Sequence, residues 1–188
     1  PAGGKATVDV TVTANPSLAD RSQYGGYIVI TGGDQTYRVP YAGFKGDYQS
    51  ITALNSTANN FPWLARLSGT TYSRQNDGAS FTMTDGDNPF VLLSLGHQVS
   101  KLRIVVRDAE TGRNWHSAYE ATHVARNSTA SGFFAFPFDG TTTAGNRTHV
   151  VPNGSYVLEV SVLKALGDDN NPDHWETWTS PKFTIDRP

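Results

Sequence analysis

Two runs of aromatic and β-branched residues, Tyr24 to Ile30 and Thr36 to Asp47, are separated only by a short segment containing Gly32-Gly33-Asp34. A glycine pair followed by Asp between two such runs is the strongest local signal for a β-hairpin, because Gly tolerates the positive φ that a tight connection demands. This feature sets the class of the chain. Eighteen Gly and ten Pro among 188 residues, with Thr, Val and Tyr plentiful, extend it to many short strands joined by tight turns. No stretch sustains an apolar period of 3.6, so helix content is expected to be low. The expected fold is all-β, an antiparallel β-sandwich of the fibronectin-III or immunoglobulin-like kind.

Lys5 to Ala14 alternates strictly, with Val8, Val10 and Val12 on one face and Thr7, Asp9, Thr11 and Thr13 on the other. That period of two predicts a half-buried strand. Asn15-Pro16-Ser17 opens a loop, and Leu18 to Gln23 has room for a single helical turn. From Tyr48 to Asp87 polar clusters interrupt the pattern. The stretch reads as a linker packed through Phe61, Trp63 and Leu64, with a short strand near Ala79 to Met83. Strands then return at Phe90 to Leu95, Lys101 to Asp108, Phe133 to Phe138, Tyr156 to Leu163 and Lys182 to Asp186. The turn signal Asp108 to Gly112 predicts a hairpin whose return strand runs through Trp115. The expected organisation is a partial sandwich over 1–48, a packed linker with short strands over 49–87 and a complete sandwich over 88–188.

Composition narrows the partners. A formal charge of −2 and the lack of any long basic run leave no electrostatic footprint for nucleic acid. With no cysteine, disulfides and thiolate metal sites are excluded, which fits either a cytosolic protein or a secreted one that relies on its cores. No apolar run approaches the roughly 20 residues that span a bilayer, so no membrane insertion is expected. The chain opens at Pro1 without a signal peptide, as a processed fragment would.

Candidate chemistry is sparse. His97, His116, His123, His149 and His174 are scattered, without zinc-ligand spacing or the Ser context of a nucleophile. Asp85-Gly86-Asp87-Asn88 and Asp168-Asp169-Asn170-Asn171-Pro172-Asp173 offer loop carboxylates. Asp168, Asp169 and Asp173 are the candidate ligands for calcium, the alternative being a solvated loop of turn formers. Trp175 and Trp178 are candidates for a carbohydrate- or protein-binding platform, with Trp63 and Trp115 as further aromatics. At a spacing of three in a strand they point to opposite faces, so at least one is expected in a core. Four Asn-x-Ser/Thr sequons begin at Asn55, Asn127, Asn146 and Asn153, as a chain this rich in Asn, Ser and Thr produces by chance.

Tyr24, Gly26 and Tyr27, followed by Val39-Pro40-Tyr41, Gly43-Phe44-Lys45-Gly46 and Asp47, resemble the second half of a known module. It is the fibronectin-III-like domain after the catalytic domain in large secreted subtilisin-like serine proteases, including cell-envelope proteinases. A second resemblance covers Phe136 to Gly140, Gly145 and Val151 to Val160. These residues are similar to immunoglobulin-like sandwiches of the flagellar hook-capping protein, which recur downstream in the same proteases. Phe138 stands for the usual Trp and Asn153 for the usual Asp.

The resemblance implies a non-catalytic accessory region outside the cell, with a subtilisin-like catalytic domain of the same precursor as its partner. It implies that the chain itself carries no triad and no peptidase activity. If residues 1–48 are half a sandwich, their sheet has an open edge, which a neighbouring chain can fill by strand addition. The rival reading is a carbohydrate- or protein-binding module using the Trp-bearing loops.

Overall fold

The computed structural model describes residues 3–188; Pro1 and Ala2, the first residues of the expected 1–48 module, lie outside them. The chain divides into two compact units, one ending at Ser50 and the other spanning Ile51–Pro188.

The first unit is built on the expected hairpin. Strands β1 (Gln23–Gly32) and β2 (Gln35–Phe44) pair antiparallel over their full length, from Gln23 opposite Phe44 to Gly32 opposite Gln35. Two residues connect them, and Gly33 takes φ +58°, the left-handed value that a side chain would resist. The register puts Tyr24, Gly26, Ile28 and Ile30 on one face with Gly43, Tyr41, Val39 and Tyr37 opposite them. This face alternates rings with glycines. The Tyr24 ring lies over Gly43, where a Cβ would sit 2.4 Å from its Cζ, and Tyr41 lies over Gly26.

Two expectations for this unit are overturned. Lys5 to Ala14 forms no strand, and Val8, Val10 and Val12 are 79%, 53% and 39% exposed instead of half-buried. The alternation is real, but a strand needs a neighbour for its N–H and C=O groups, and the two-stranded sheet does not recruit this segment. Leu18 to Gln23 is not a helical turn either. Leu18 N–H bonds to Asn15 O and Ser22 N–H to Ala19 O as separate turns, with Arg21 at φ +65°.

In the second unit, the stretch expected to be a linker supplies strands. β3 (Trp63–Ser68), β4 (Thr71–Arg74) and β5 (Ala79–Phe81) precede β6 (Pro89–Leu93), β7 (Val99–Asp108), β8 (Asn114–Val124) and β9 (Phe134–Pro137). β10 (Thr141–Ala144), β11 (Arg147–Val150), β12 (Gly154–Lys164), β13 (Trp175–Thr179) and β14 (Phe183–Ile185) complete it. One sheet runs β4-β3-β6-β9, all antiparallel. The larger runs β11-β10-β8-β7-β12-β14-β5, with β13 pairing β12 beyond the short β14. β7 and β8 form the hairpin predicted around Asp108 to Gly112. β5 joins β14 in parallel, so residues 79–81 belong to the larger sheet. The sandwich therefore starts at Ile51, not at residue 88, because Leu64, Ala65 and Phe81 are fully buried parts of its cores.

Alternation explains the main core. Tyr156, Leu158, Val160 and Val162 of β12 and Leu102, Ile104 and Val106 of β7 point inward, meeting Leu64, Val91 and Leu93 from the other sheet. Fully burying each such aliphatic side chain contributes about 1.5–3 kcal/mol. Phe81 and Phe183 pack edge to face at 5.8 Å, as neighbours from parallel strands. β6 is buried on both faces, because Leu92 packs outward with Phe61 and Ala65 beneath Trp63, Tyr72 and Phe90.

Candidate functional site

The carboxylates singled out in the sequence do not converge. Asp168 Oδ1 accepts the backbone N–H and the side-chain amide of Asn170, while the Asp168 N–H donates to His174 Nδ1. Asp169 pairs with Lys101, and its carbonyl accepts the Trp175 indole N–H at 3.1 Å. Asp173 lies in a single 3-10 turn (Pro172–His174) capped by the Asn171 side chain. Asp168 serves the loop's own turns, and Asp169 ties the loop to β7 through Lys101. Among the described residues no three His, Asp or Glu side chains form a group that could hold a metal ion.

In the other acidic cluster, Asp87 accepts the N–H and hydroxyl of Thr82 at 2.9 and 3.0 Å and pairs with Arg66 at 2.9 Å. Burial pushes its carboxyl up, but these hydrogen bonds and the Arg66 charge outweigh it and hold the carboxyl below its ordinary value. It fastens β3 to the turn after β5. The Arg66 guanidinium also sits 4.5 Å from the centre of the Phe81 ring.

The turns between Phe136 and Val160 that resemble those of immunoglobulin-like sandwiches are likewise structural. Gly140 takes φ +84° and faces Arg187, whose guanidinium donates to Gly140 O at 3.4 Å and to Val151 O at 2.7 Å. A Cβ at Gly140 would come within 2.3 Å of that guanidinium. Asn153 exchanges hydrogen bonds with the Arg187 backbone, and Tyr156 Oη donates to Pro152 O at 3.0 Å. The two turns thus form a seat for one arginine, Arg187.

The four tryptophans separate. Trp115 is partly buried against the main core under Arg113, 4.3 Å from its ring. Trp175 is half-buried, with Arg103 5.9 Å from its ring. Trp178 packs one side against the main core, which meets the expectation that at least one of the Trp175–Trp178 pair does so. Its remaining surface faces a cleft of about 560 Å³, whose other wall includes Trp63 of β3. Trp63 is held by its indole N–H, which donates to Asn59 O and Asn60 O at 2.9 and 3.1 Å, and by the Phe61 ring at 4.9 Å.

On the rim stand Arg74, Asn76 and Asp77, all exposed. Arg74 lies 6.0 Å from the Trp63 ring, and Asp77 Oδ1 accepts the Lys182 N–H at 2.7 Å. Sequence reasoning gave Trp63 a packing role and counted it as a further aromatic of the binding platform, but assigned no role to the three polar residues. The signal was faint, since Trp63 and Trp178 are 115 positions apart and line one cleft from strands of different sheets. The cleft is lined by both aromatic and polar residues.

No family model matches the chain, and a comparison with curated proteins finds no match either.

Proposed function

We propose that this chain is a non-catalytic accessory β-sandwich region of an extracellular subtilisin-like serine protease, acting as a scaffold beside the catalytic domain of the same precursor. The observation that carries the reading is the division of labour within the Val-Pro-Tyr-x-Gly-Phe-Lys-Gly-Asp motif. Tyr41 covers Gly26, and Gly43 admits the Tyr24 ring. Lys45 donates its ammonium to the carbonyls of Pro16 and Leu18, tying the preceding loop to the hairpin. Asp47 Oδ1 accepts the Gln49 N–H and opens the short turn Tyr48–Ser50, where Tyr48 meets Phe44 edge to face at 5.1 Å. Every one of these roles is architectural, as expected of a motif that closes a module.

A second observation supports the same reading. Tyr27, Val29, Ile30, Tyr37 and Val39 remain exposed on the hairpin, alongside the uncovered Val8, Val10 and Val12. So much open apolar surface suits a unit completed by strands of an upstream domain. Sequencing the coding region upstream of Pro1 tests the proposal. The Asp, His and Ser motifs of a subtilisin domain are the expected result, and their absence overturns it. Inhibitor-sensitive casein hydrolysis by the purified chain would overturn its non-catalytic part.

A further inference from the structure

We propose that β1 is the edge through which two copies of this chain associate, pairing antiparallel about a two-fold axis at Tyr27 into one sheet of order β2-β1-β1-β2. This association goes beyond the accessory role proposed above and does not depend on the protease assignment.

The ladder of the hairpin decides which backbone groups are free. Across a two-residue connection Gly32 and Gln35 bond to each other, and bonded and non-bonded pairs then alternate along the antiparallel strands. Tyr24, Gly26, Ile28 and Ile30 therefore bond to Gly43, Tyr41, Val39 and Tyr37. Lys45 N–H keeps the same rhythm by donating to Ser22 O at 2.9 Å. The N–H and C=O groups of Gln23, Gly25, Tyr27, Val29 and Thr31 point away from β2, while Thr36, Arg38, Pro40, Ala42 and Phe44 face outward from the other side. Among the described residues no third strand pairs with either edge.

The two edges are not alike. On β2 the outward row is interrupted by Pro40, which has no N–H to offer, and carries the charge of Arg38; both discourage an added strand. β1 contains neither a proline nor a charged residue. Its outward residues Gln23, Gly25, Tyr27, Val29 and Thr31 are all exposed, Tyr27 by 62% and Val29 by 54%.

The β1 edge also complements itself. Antiparallel pairing about Tyr27 sets Gln23 opposite Thr31 of the second copy, Gly25 opposite its Val29 and Tyr27 opposite its Tyr27. Every outward group of the strand then finds a partner, and the two-fold axis closes the assembly. The Tyr27 rings form a cross-strand aromatic pair, each branched Val29 lies beside a glycine, and no like charges meet. On the other face Ile30 comes opposite Tyr24 of the second copy and Ile28 opposite its Gly26, which joins two apolar surfaces into one. Two strands alone make a marginal sheet, whereas four with a shared apolar face do not.

The competing occupant is the chain's own segment Val8 to Val12, tethered to β1 through Asn15 to Ser22. So short a tether gives it a high effective concentration at β1, yet it stays unpaired and exposed. Lys45 instead holds the carbonyls of Pro16 and Leu18 within that tether. A second copy is therefore the favoured partner.

Sedimentation velocity of the full chain up to about 300 µM tests the proposal, with a dimer of dissociation constant below about 100 µM expected. Tyr27→Lys sets two ammonium groups against each other across the axis and is expected to weaken association at least tenfold, as is Tyr27→Glu. Mixing the two variants is expected to restore the dimer, because opposite charges then meet, and the rescue shows that both are folded. Val29→Pro removes an N–H that serves no bond within the hairpin and is expected to abolish the dimer, while Arg38→Glu on β2 leaves it unchanged. A chain that stays monomeric overturns the proposal. So does a dimer that survives Tyr27→Lys, that mixing fails to rescue, that Arg38→Glu disrupts, or that Val10→Asp abolishes while Val29→Pro does not. The motifs sought upstream of Pro1 test the accessory role separately, so either reading can fail alone.

Discussion

The phenol ring of Tyr24 occupies the space above Gly43 that any side chain there would claim, 2.4 Å from the Cβ position to Cζ. Aromatic cover of a glycine in the facing strand restores packing that the glycine lacks, and it couples the two residues. Gly43→Ala is expected to force the ring away and destabilise the first unit by about 1–3 kcal/mol, as overpacking does. In a Tyr24→Ala background the same change should cost much less. Amide hydrogen exchange across β1 and β2 in the four variants of this cycle measures the coupling, and additive losses would refute it.

Acid should loosen the second unit partly through Asp87. Its carboxyl titrates below the ordinary value in the folded chain, so its contribution is fully present above about pH 4 and disappears as pH falls through the lowered folded value. Asp87→Asn is expected to cost about 1–2 kcal/mol at pH 7, since it weakens charged hydrogen bonds to Arg66 and Thr82. The penalty should shrink below pH 3. Urea unfolding of both forms at pH 7 and pH 2.5 checks this, and an equal penalty at both would contradict it.

Glu176 grips the start of the second unit. Its two carboxylate oxygens accept the backbone N–H groups of Ala53 and Leu54 at 2.8 Å each. Glu176→Ala would strand those donors in a buried setting, a loss of about 2–3 kcal/mol. Differential scanning calorimetry should show the drop in Tm, whereas Glu176→Gln, which keeps one acceptor, should lose less.

One buried hydroxyl points to the opposite outcome. Thr142 is almost fully buried, and its Oγ1 meets no hydrogen-bonding partner in the protein. Thr142→Val preserves the shape and removes an unsatisfied polar group, so a gain of about 1 kcal/mol is expected. A lower Tm for this variant would show that the hydroxyl is satisfied.

What could be read in advance followed the reach of the signal. The hairpin around Gly33 was legible because its turn and its two strands are contiguous, and so was the β7–β8 hairpin. β12 announced itself through Tyr156, Leu158, Val160 and Val162, whose alternation matches a buried face. The same pattern misled at Val8 to Val12, because alternation states which residues would share a face and says nothing of whether a neighbouring strand exists. β3 and β4 hid within a polar stretch, since Leu64 and Ala65 are buried on opposite faces and their run reads as short and mixed. The Thr-rich β10 and β11 carried no strong apolar pattern either. Of the candidate cleft, Trp63 and Trp178 were visible as residue types, but their lining of one cleft depends on how the two sheets pack.

Two side chains hold the ends of the second unit. Glu176 of β13 binds the incoming chain at Ala53 and Leu54, and Arg187 plugs the outgoing chain into Gly140, Val151 and Asn153. Tension applied to a folded unit through its first and last residues falls first on the contacts nearest those residues. Here those contacts are charged groups latched onto backbone, so a pull along the chain must break these latches before it can begin to peel β12 or β14 from the sandwich.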